Sequence, residues 1–279
     1  MTHTIRIGNQ TAFSATDSMD PLNFAIEQGF DAFEWFADKK LLEDGSTHGW
    51  DVSDMDEGLR REMKRTGEKR DIWFTVHAPW QANPLHAGGN ELLIESLEFA
   101  KDIGARLVNL HLYMDVGAEG YVEALGPVID YAAQVGVQLS IENTPLTTAT
   151  DVNRTFTCLH KSGAKHVGFC LDIGHANLSE PTRNDFIRYM DELDPLVPII
   201  HTHVHENYGD QDSHLTLFTG PAANNDSGIR AFISRLIDRQ YQGAAILEQW
   251  PQPPDLLIQA EQRLRKIIEQ KKVNPRVSM

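Results

Sequence analysis

Four histidines and an aspartate crowd fourteen consecutive positions near the end of this chain: His201, His203, His205, Asp212 and His214, in the run HTHVHENYGDQDSHLTLFTG. Neutral imidazole and carboxylate are ligands of first-row divalent metals, and an ordinary core strand has no use for so many titratable groups. Upstream, FTVHAPW ends in His77, LVNLHLY in His111, LSIENTP in Glu142, and FCLDIGHA in Asp172 followed by His175; downstream, AAILEQW ends in Glu248. Each is an apolar strand pattern closed by a metal-type ligand. Glu142 and Glu248 follow runs so apolar that either carboxylate would be buried at high cost without a cation or donors. Side chains alternate along a strand, so His201, His203 and His205 share one face. His203, at the strand end, is the expected ligand. His201 falls one layer deeper and His205 beyond the strand, both as supporting or structural residues. Asp212 and His214 can reach the same cluster from the following loop, and the turn after Asp172 returns His175 to it.

Short apolar runs predict strands at 5–8, 32–35, 72–77, 107–111, 137–142, 167–172, 197–205 and 244–248. Amphipathic stretches between them predict helices at roughly 20–28, 53–69, 90–103, 118–135, 149–162, 182–192, 227–240 and 254–271. Gly29, Gly104, Gly136 and Gly163 each stand where a helix should stop. Strands alternating with helices imply parallel pairing, and eight such units imply an α/β fold of the (β/α)8 TIM-barrel type. The candidate ligands at His77, His111, Glu142, Asp172, His203 and Glu248 then share the C-terminal rim, where barrels build active sites. The open doubly wound alternative lacks a G-x-G-x-x-G after its first strand. One domain over 1–279 is expected, with 271–279 as a frayed tail.

Composition narrows the function. With 25 basic against 40 acidic residues the formal charge is −15, which repels phosphate backbones and anionic membranes and argues against a nucleic-acid partner. Two cysteines, Cys158 and Cys170, are too few for a disulfide framework and fit a reducing compartment. The opening MTHTIRIGNQ has no apolar signal core, and no run reaches the length of a membrane span, so a cytoplasmic location is expected.

The ordered set HAP, LH, IENT, LDIGHA, HVHEN with D-x-H, and LE resembles the xylose isomerase-like TIM-barrel superfamily, from Ile5 to about Ile268. That group includes sugar isomerases and epimerases and the endonuclease IV class of abasic-site nucleases. The resemblance implies a divalent-metal cofactor (Mn, Zn, Co or Fe; one to three ions). Carried over from the epimerases, the single-metal set is Glu142, Asp172, His203 and Glu248, with His175 touching substrate. Carried over from the nucleases, a three-metal set is His77, His111, Glu142, Asp172, His175, His203, Asp212, His214 and Glu248. Two departures count against the nuclease. The seventh loop reads LFTG where many relatives have Leu-Gly-Glu-Gly, and the loop after the second strand lacks the arginines that grip bent DNA.

The expected function is therefore metal-dependent isomerisation or epimerisation of a small sugar or polyol through an enediolate. Glu142 and Glu248 would move the proton, and Trp35, Trp80 and Trp250 would wall the substrate. Phosphodiester hydrolysis on abasic DNA by clustered metals is the alternative. Homo-oligomer formation is left open.

Overall fold

A computed structural model describes residues 5–10, 19–37, 39–42, 44–249 and 254–273. Its strands are β1 (Arg6–Gln10), β2 (Ala32–Phe36), β3 (Lys40–Leu41), β4 (Thr47–His48), β5 (Trp73–His77), β6 (Leu107–His111), β7 (Gln138–Glu142), β8 (Val167–Asp172), β9 (Ile199–Val204) and β10 (Ala244–Leu247). β3 and β4 form a small antiparallel ribbon, while the other eight close into a parallel barrel in the order β1-β10-β9-β8-β7-β6-β5-β2. Helices α1 (Asp20–Gln28), α2 (Glu57–Arg70), α3 (Gly89–Ile103), α4 (Gly117–Val135), α5 (Ala149–Ser162), α6 (Ile173–Leu178), α7 (Phe186–Asp191), α8 (Ser227–Asp238) and α9 (Pro254–Val273) fill the crossovers. Gly29, Gly104, Gly136 and Gly163 all cap helices in the left-handed conformation, as expected. Thr148 and Asp151 start α5 with a reciprocal capping box, satisfying donors that a helix N-terminus leaves open.

Pairing sets the rim level. His111 pairs with Glu142 across β6 and β7, and Asp172 with His203 across β8 and β9. Each of the two pairs thus meets at one level at or beside the strand ends.

The structure departs from the sequence reading in three places. The expected helix 182–192 is shorter: after β8 the chain turns at once into α6, passes a 3-10 turn at Glu180–Thr182, and starts α7 only where Asp185 caps the backbone N–H of Arg188. The helix α9 runs to Val273, so the first residues of the expected tail are helical. The third correction concerns Trp35, expected at the substrate wall. It is fully buried on the opposite face of β2, edge-on to Phe33, Trp50, Phe74 and Phe99 at centroid distances of 4.8, 5.8, 6.0 and 6.4 Å. Strand parity is the cause: Glu34 points into the barrel, so its neighbours Phe33 and Trp35 point outward to the helix layer. Trp35→Ala is accordingly expected to lower unfolding stability by about 3–5 kcal/mol through cavity formation, measured by urea denaturation. A change confined to substrate KM, with stability intact, would instead return Trp35 to the binding wall.

Candidate metal centre

The central group consists of Glu142 at the end of β7, Asp172 at the end of β8, His203 in β9 and Glu248 just past β10, with one donor atom of each within 4.8 Å of all the others. His203 Nδ1 lies 3.1 Å from Glu248 Oε2, 3.3 Å from Glu142 Oε2 and 3.8 Å from Asp172 Oδ2. All four side chains are buried. Three carboxylates gathered out of water need a compensating cation. Each glutamate has one oxygen anchored and one without a hydrogen-bond partner. Asn109 donates to Glu142 Oε2 and Gln10 donates to Glu248 Oε1 at 3.1 Å, which leaves Glu142 Oε1 and Glu248 Oε2 unsatisfied. Buried polar atoms are rarely left so. The donor set, rich in carboxylate, fits a divalent metal.

Two further groups flank it, and two more overlap it: His77 with His203 and Glu248, and Cys170 with His201 and His203. His77, at the end of β5, and His111, at the end of β6, gather with Glu142, which is thus shared with the central group. His77 Nδ1–H donates to the Ala78 carbonyl at 2.7 Å, leaving Nε2 to face Glu142 Oε2 at 3.3 Å. Burial pushes His111 down to about 4, so it presents a neutral imidazole at physiological pH. On the other side lie His175, His205, Asp212 and His214. His175 Nδ1–H donates to the Asn143 carbonyl at 2.8 Å and His214 Nδ1–H to the Glu248 carbonyl at 2.9 Å. Each Nε2 is thereby aimed at Asp212 Oδ2, at 3.1 and 3.2 Å. Backbone acceptors that fix the remote ring nitrogen are the usual support of a metal-ligating histidine. His214 holds φ of 43°, a left-handed backbone that a non-glycine residue adopts only when its surroundings impose it.

Every described residue expected to bind metal therefore stands in one of three adjoining groups. His201 lies a layer deeper, as expected, with Nε2 2.7 Å from Glu34 Oε2. His205 goes further than expected, because the structure seats it among candidate ligands. Glu34, Gln10 and Asn109 went unread. Glu34 is fully buried and its carboxylate faces His201, His203 Nε2 at 2.9 Å, Thr75 Oγ1 at 2.9 Å and Gln10 Nε2 at 2.9 Å. The signal existed: a lone charge in the apolar run AFEWF must be paired if buried. Gln10 was missed because β1 continues two residues past its apolar part.

Around the rim, Trp80 is exposed, and its carbonyl accepts from the Tyr113 hydroxyl at 2.9 Å. Trp250 lies outside the described residues. Phe36 packs on His77 at 4.7 Å between ring centroids. The rim segments 37–56, 78–88, 112–116, 143–148, 179–185, 205–226 and 248–253 contain only Lys39, Lys40 and Arg183 as lysine or arginine. Lys39 is taken up by Asp51 and Asp54, and Arg183 by Glu180. The long loop after β9 is pinned at its neck, where the backbones of Glu206 and Leu215 exchange hydrogen bonds of 3.0 and 2.9 Å. The Glu206 carboxylate also accepts from the backbone N–H groups of Phe218, Gly220 and Ala222. A carboxylate thus organises this loop from its start, where LFTG supplies none.

Metal uptake should displace protons. Burial opposes charge on His203 and His214, yet surrounding carboxylates hold His203 well above its ordinary value, and the hydrogen bond with Asp212 helps to raise His214 to about 9. Ligating imidazoles must be neutral. Zinc binding near pH 7 is therefore expected to release protons, and fewer of them near pH 10, where His214 is already neutral. Calorimetry in buffers of different ionisation heat measures this; release that is equal at both values would contradict the histidine assignment.

The model of the xylose isomerase-like TIM-barrel family matches residues 22–268. An uncharacterized protein of Sinorhizobium fredii, y4fM, is 28% identical over 160 residues, 53% of this chain, and the chain spans only 48% of that relative's length. Among solved structures, a D-tagatose 3-epimerase-like protein superposes with a TM-score of 0.76 at 18% identity, covering 98% of this chain and 100% of its own. The D-psicose 3-epimerase of Clostridium cellulolyticum H10, solved with D-tagatose, gives 0.68 at 14% identity, covering 95% and 99%. At such identities the structures share the fold alone. The family match, which takes in every barrel strand from β2 to β10, is decisive: the chain belongs to the xylose isomerase-like TIM-barrel family.

Proposed function

We propose that the protein is a divalent-metal-dependent isomerase or epimerase of a small, uncharged sugar or polyol. The observation that carries the reading is the pair Glu142 and Glu248, which reach the same buried imidazole from β7 and from the end of β10, the strands that flank the β8–β9 pair, each with one anchored and one unsatisfied oxygen. When bound by Glu142, Asp172, His203 and Glu248, a divalent ion supplies Lewis acidity to a substrate carbonyl and neighbouring hydroxyl. Asn109 and Gln10 hold one oxygen of each glutamate, so the other is aimed as a base. One glutamate removes the α-proton on one face and leaves an enediolate; the other returns a proton on the opposite face. A carboxylate proton donor and acceptor on opposite faces of one carbon is what epimerisation requires. Among the rim side chains that are described, both cations, Lys39 and Arg183, are paired with carboxylates, which favours a neutral substrate over a phosphorylated one. The shared fold of a D-tagatose 3-epimerase-like protein and a D-psicose 3-epimerase accords with this class.

A second reading, hydrolysis of a phosphodiester by clustered metals, is favoured by one observation: Glu142 is shared between the central group and the His77–His111 group. The pairing of Lys39 and Arg183 with carboxylates, and the formal charge of −15, count against a polyanionic substrate. Metal content of protein purified without added metal, followed by deuterium wash-in from solvent water across a panel of ketoses, tests the choice. Exchange at an α-carbon supports the isomerase. No exchange by fully metallated protein, together with cleavage of abasic DNA, establishes the second reading.

A further inference from the structure

We propose that the N-terminal mouth of the barrel holds a second ligand site, which takes a small hydroxylated anion: a hydroxy acid or a polyol phosphate. It lies at the end of the barrel opposite the candidate metal ligands and stands independently of the functional reading.

The site is a pocket of about 290 Å³ whose walls come from the first residues of several strands. Trp73 opens β5, Ile199 opens β9, and Arg106 directly precedes β6. Arg239 and Tyr241 join from the turn between α8 and β10, and His201, two residues further into β9 than Ile199, stands at the inner end. The Tyr241 hydroxyl donates to the Ala244 carbonyl at 2.6 Å, which fixes that side of the wall. A pocket of this size suits a small metabolite rather than a drug-sized ligand.

The entrance carries positive charge in a chain whose formal charge is −15. Two arginines meet on one indole: Arg106 Cζ lies 3.3 Å from the Trp73 ring centroid and Arg6 Cζ 4.4 Å. Arg6 is neutralised, because it donates to both carboxylate oxygens of Asp71 at 3.0 and 2.9 Å. Arg106 is not: among the described residues no acceptor takes its N–H groups and no carboxylate pairs with it. Stacking occupies the face of a guanidinium and leaves its donor edge free. Burial and the charge of Arg6 push Arg106 down from its ordinary value, so an anion beside it would relieve a repulsion that the fold leaves standing. Arg239 spends one donor on the Leu193 carbonyl at 3.2 Å and, among the described residues, lies in no salt bridge.

The inner end lacks a donor. Glu34 Oε2 lies 2.7 Å from His201 Nε2, so that nitrogen carries the hydrogen and Nδ1 is left as a bare acceptor. His201 is fully buried and its Nδ1 has no partner. A buried nitrogen in that state is rare, and a hydroxyl reaching in from the mouth would satisfy it. Charge at the entrance and a missing donor at the floor together describe an occupant with an anionic head and a hydroxyl beyond it. Stability alone, the ordinary duty of this face of a barrel, explains neither an unpaired arginine nor a bare buried nitrogen.

Isothermal calorimetry on the full chain as purified tests this, with D-glycerate and glycerol 3-phosphate as probes. Glycerol serves as the control without charge, and propionate and methyl phosphate as the controls without hydroxyls. One or both probes should bind in a one-to-one ratio, and more weakly as salt screens the arginines. The probe that binds tells a carboxylate head from a phosphate, and each control should bind more weakly than the probe it matches. Arg106→Gln should weaken the bound anion about 10–100-fold, the usual loss of a hydrogen bond to a charged group. Its side chain is exposed, so circular dichroism should show an unchanged fold. Arg183→Gln, at the opposite rim, should leave the affinity as in the parent. No binding of either probe by the parent, an affinity unchanged in Arg106→Gln, or a loss in Arg183→Gln instead overturns the proposal. Hydroxyl-free controls that bind as well as their probes overturn the ligand class and remove His201 from the site.

Discussion

Replacing Glu142 or Glu248 by glutamine is expected to slow solvent-deuterium exchange at the substrate α-carbon by a factor on the order of 10² or more, because an amide cannot take up the proton. The substitution preserves size and one oxygen, so the anchoring partners Asn109 and Gln10 keep something to bond and the barrel should remain folded. Circular dichroism checks the fold, and NMR of the recovered ketose reads the exchange. His77→Asn and Asp212→Asn should reduce exchange less, since neither belongs to the central group. Exchange that survives both glutamate substitutions at the parent rate would remove the two-base mechanism. A larger loss from His77→Asn than from Glu248→Gln would shift weight to the group around His77 and His111.

Glu34→Ala is expected to be the most destabilising single change at the site, by about 3–5 kcal/mol, the usual result of removing one partner from a buried charged pair. It would strip His201, His203, Thr75 and Gln10 of a shared acceptor in the barrel interior. Burial raises the carboxyl, but the charge of His203 and the hydrogen bonds of both histidines outweigh this and hold Glu34 well below its ordinary value. Burial keeps His201 low, so of the two imidazoles it is His203 that carries the proton. Urea denaturation of metal-free protein measures the loss. Glu34→Gln should recover part of the stability while weakening zinc about 10–100-fold, as removal of a carboxylate behind a ligating histidine does. Wild-type affinity in Glu34→Gln would make Glu34 a purely structural residue.

How much was legible follows from where the signals lay. The barrel could be read because its βα units declare themselves locally: an apolar run, an amphipathic stretch and, after α1, α3, α4 and α5, a terminal glycine. The rim residues could be read because β5, β6, β7 and β8 end in His77, His111, Glu142 and Asp172, and His203 and Glu248 stand beside the ends of β9 and β10. Trp35 was misplaced because nearness to a strand end was given more weight than parity, and Glu34 beside it decides which way the tryptophan faces. Glu34 and Asn109 escaped notice because they sit in mid-strand, where only the three-dimensional closure brings them beneath His203 and Glu142. His205 stands just beyond β9, so its direction depends on the loop and on the space left at Gly174, where a Cβ would stand 2.0 Å from His205 Cε1. No pattern within its own segment specifies that.

The neck at Glu206 and Leu215 gives the loop after β9 an independence that the barrel strands lack. Its two ends are joined by their own backbone hydrogen bonds, and the return path is held by the Glu206 carboxylate. The eight residues between, 207–214, are therefore set apart from β9 and α8 along the backbone and meet the barrel through side chains, His214 on the Glu248 carbonyl and Asn207 on the Gly174 carbonyl. Asp212 and His214 ride in that segment, whereas Glu142, Asp172, His203 and Glu248 belong to the barrel frame. The outermost candidate ligands thus hang on a segment closed by its own hydrogen bonds, while the central quartet is set by the register of the barrel strands.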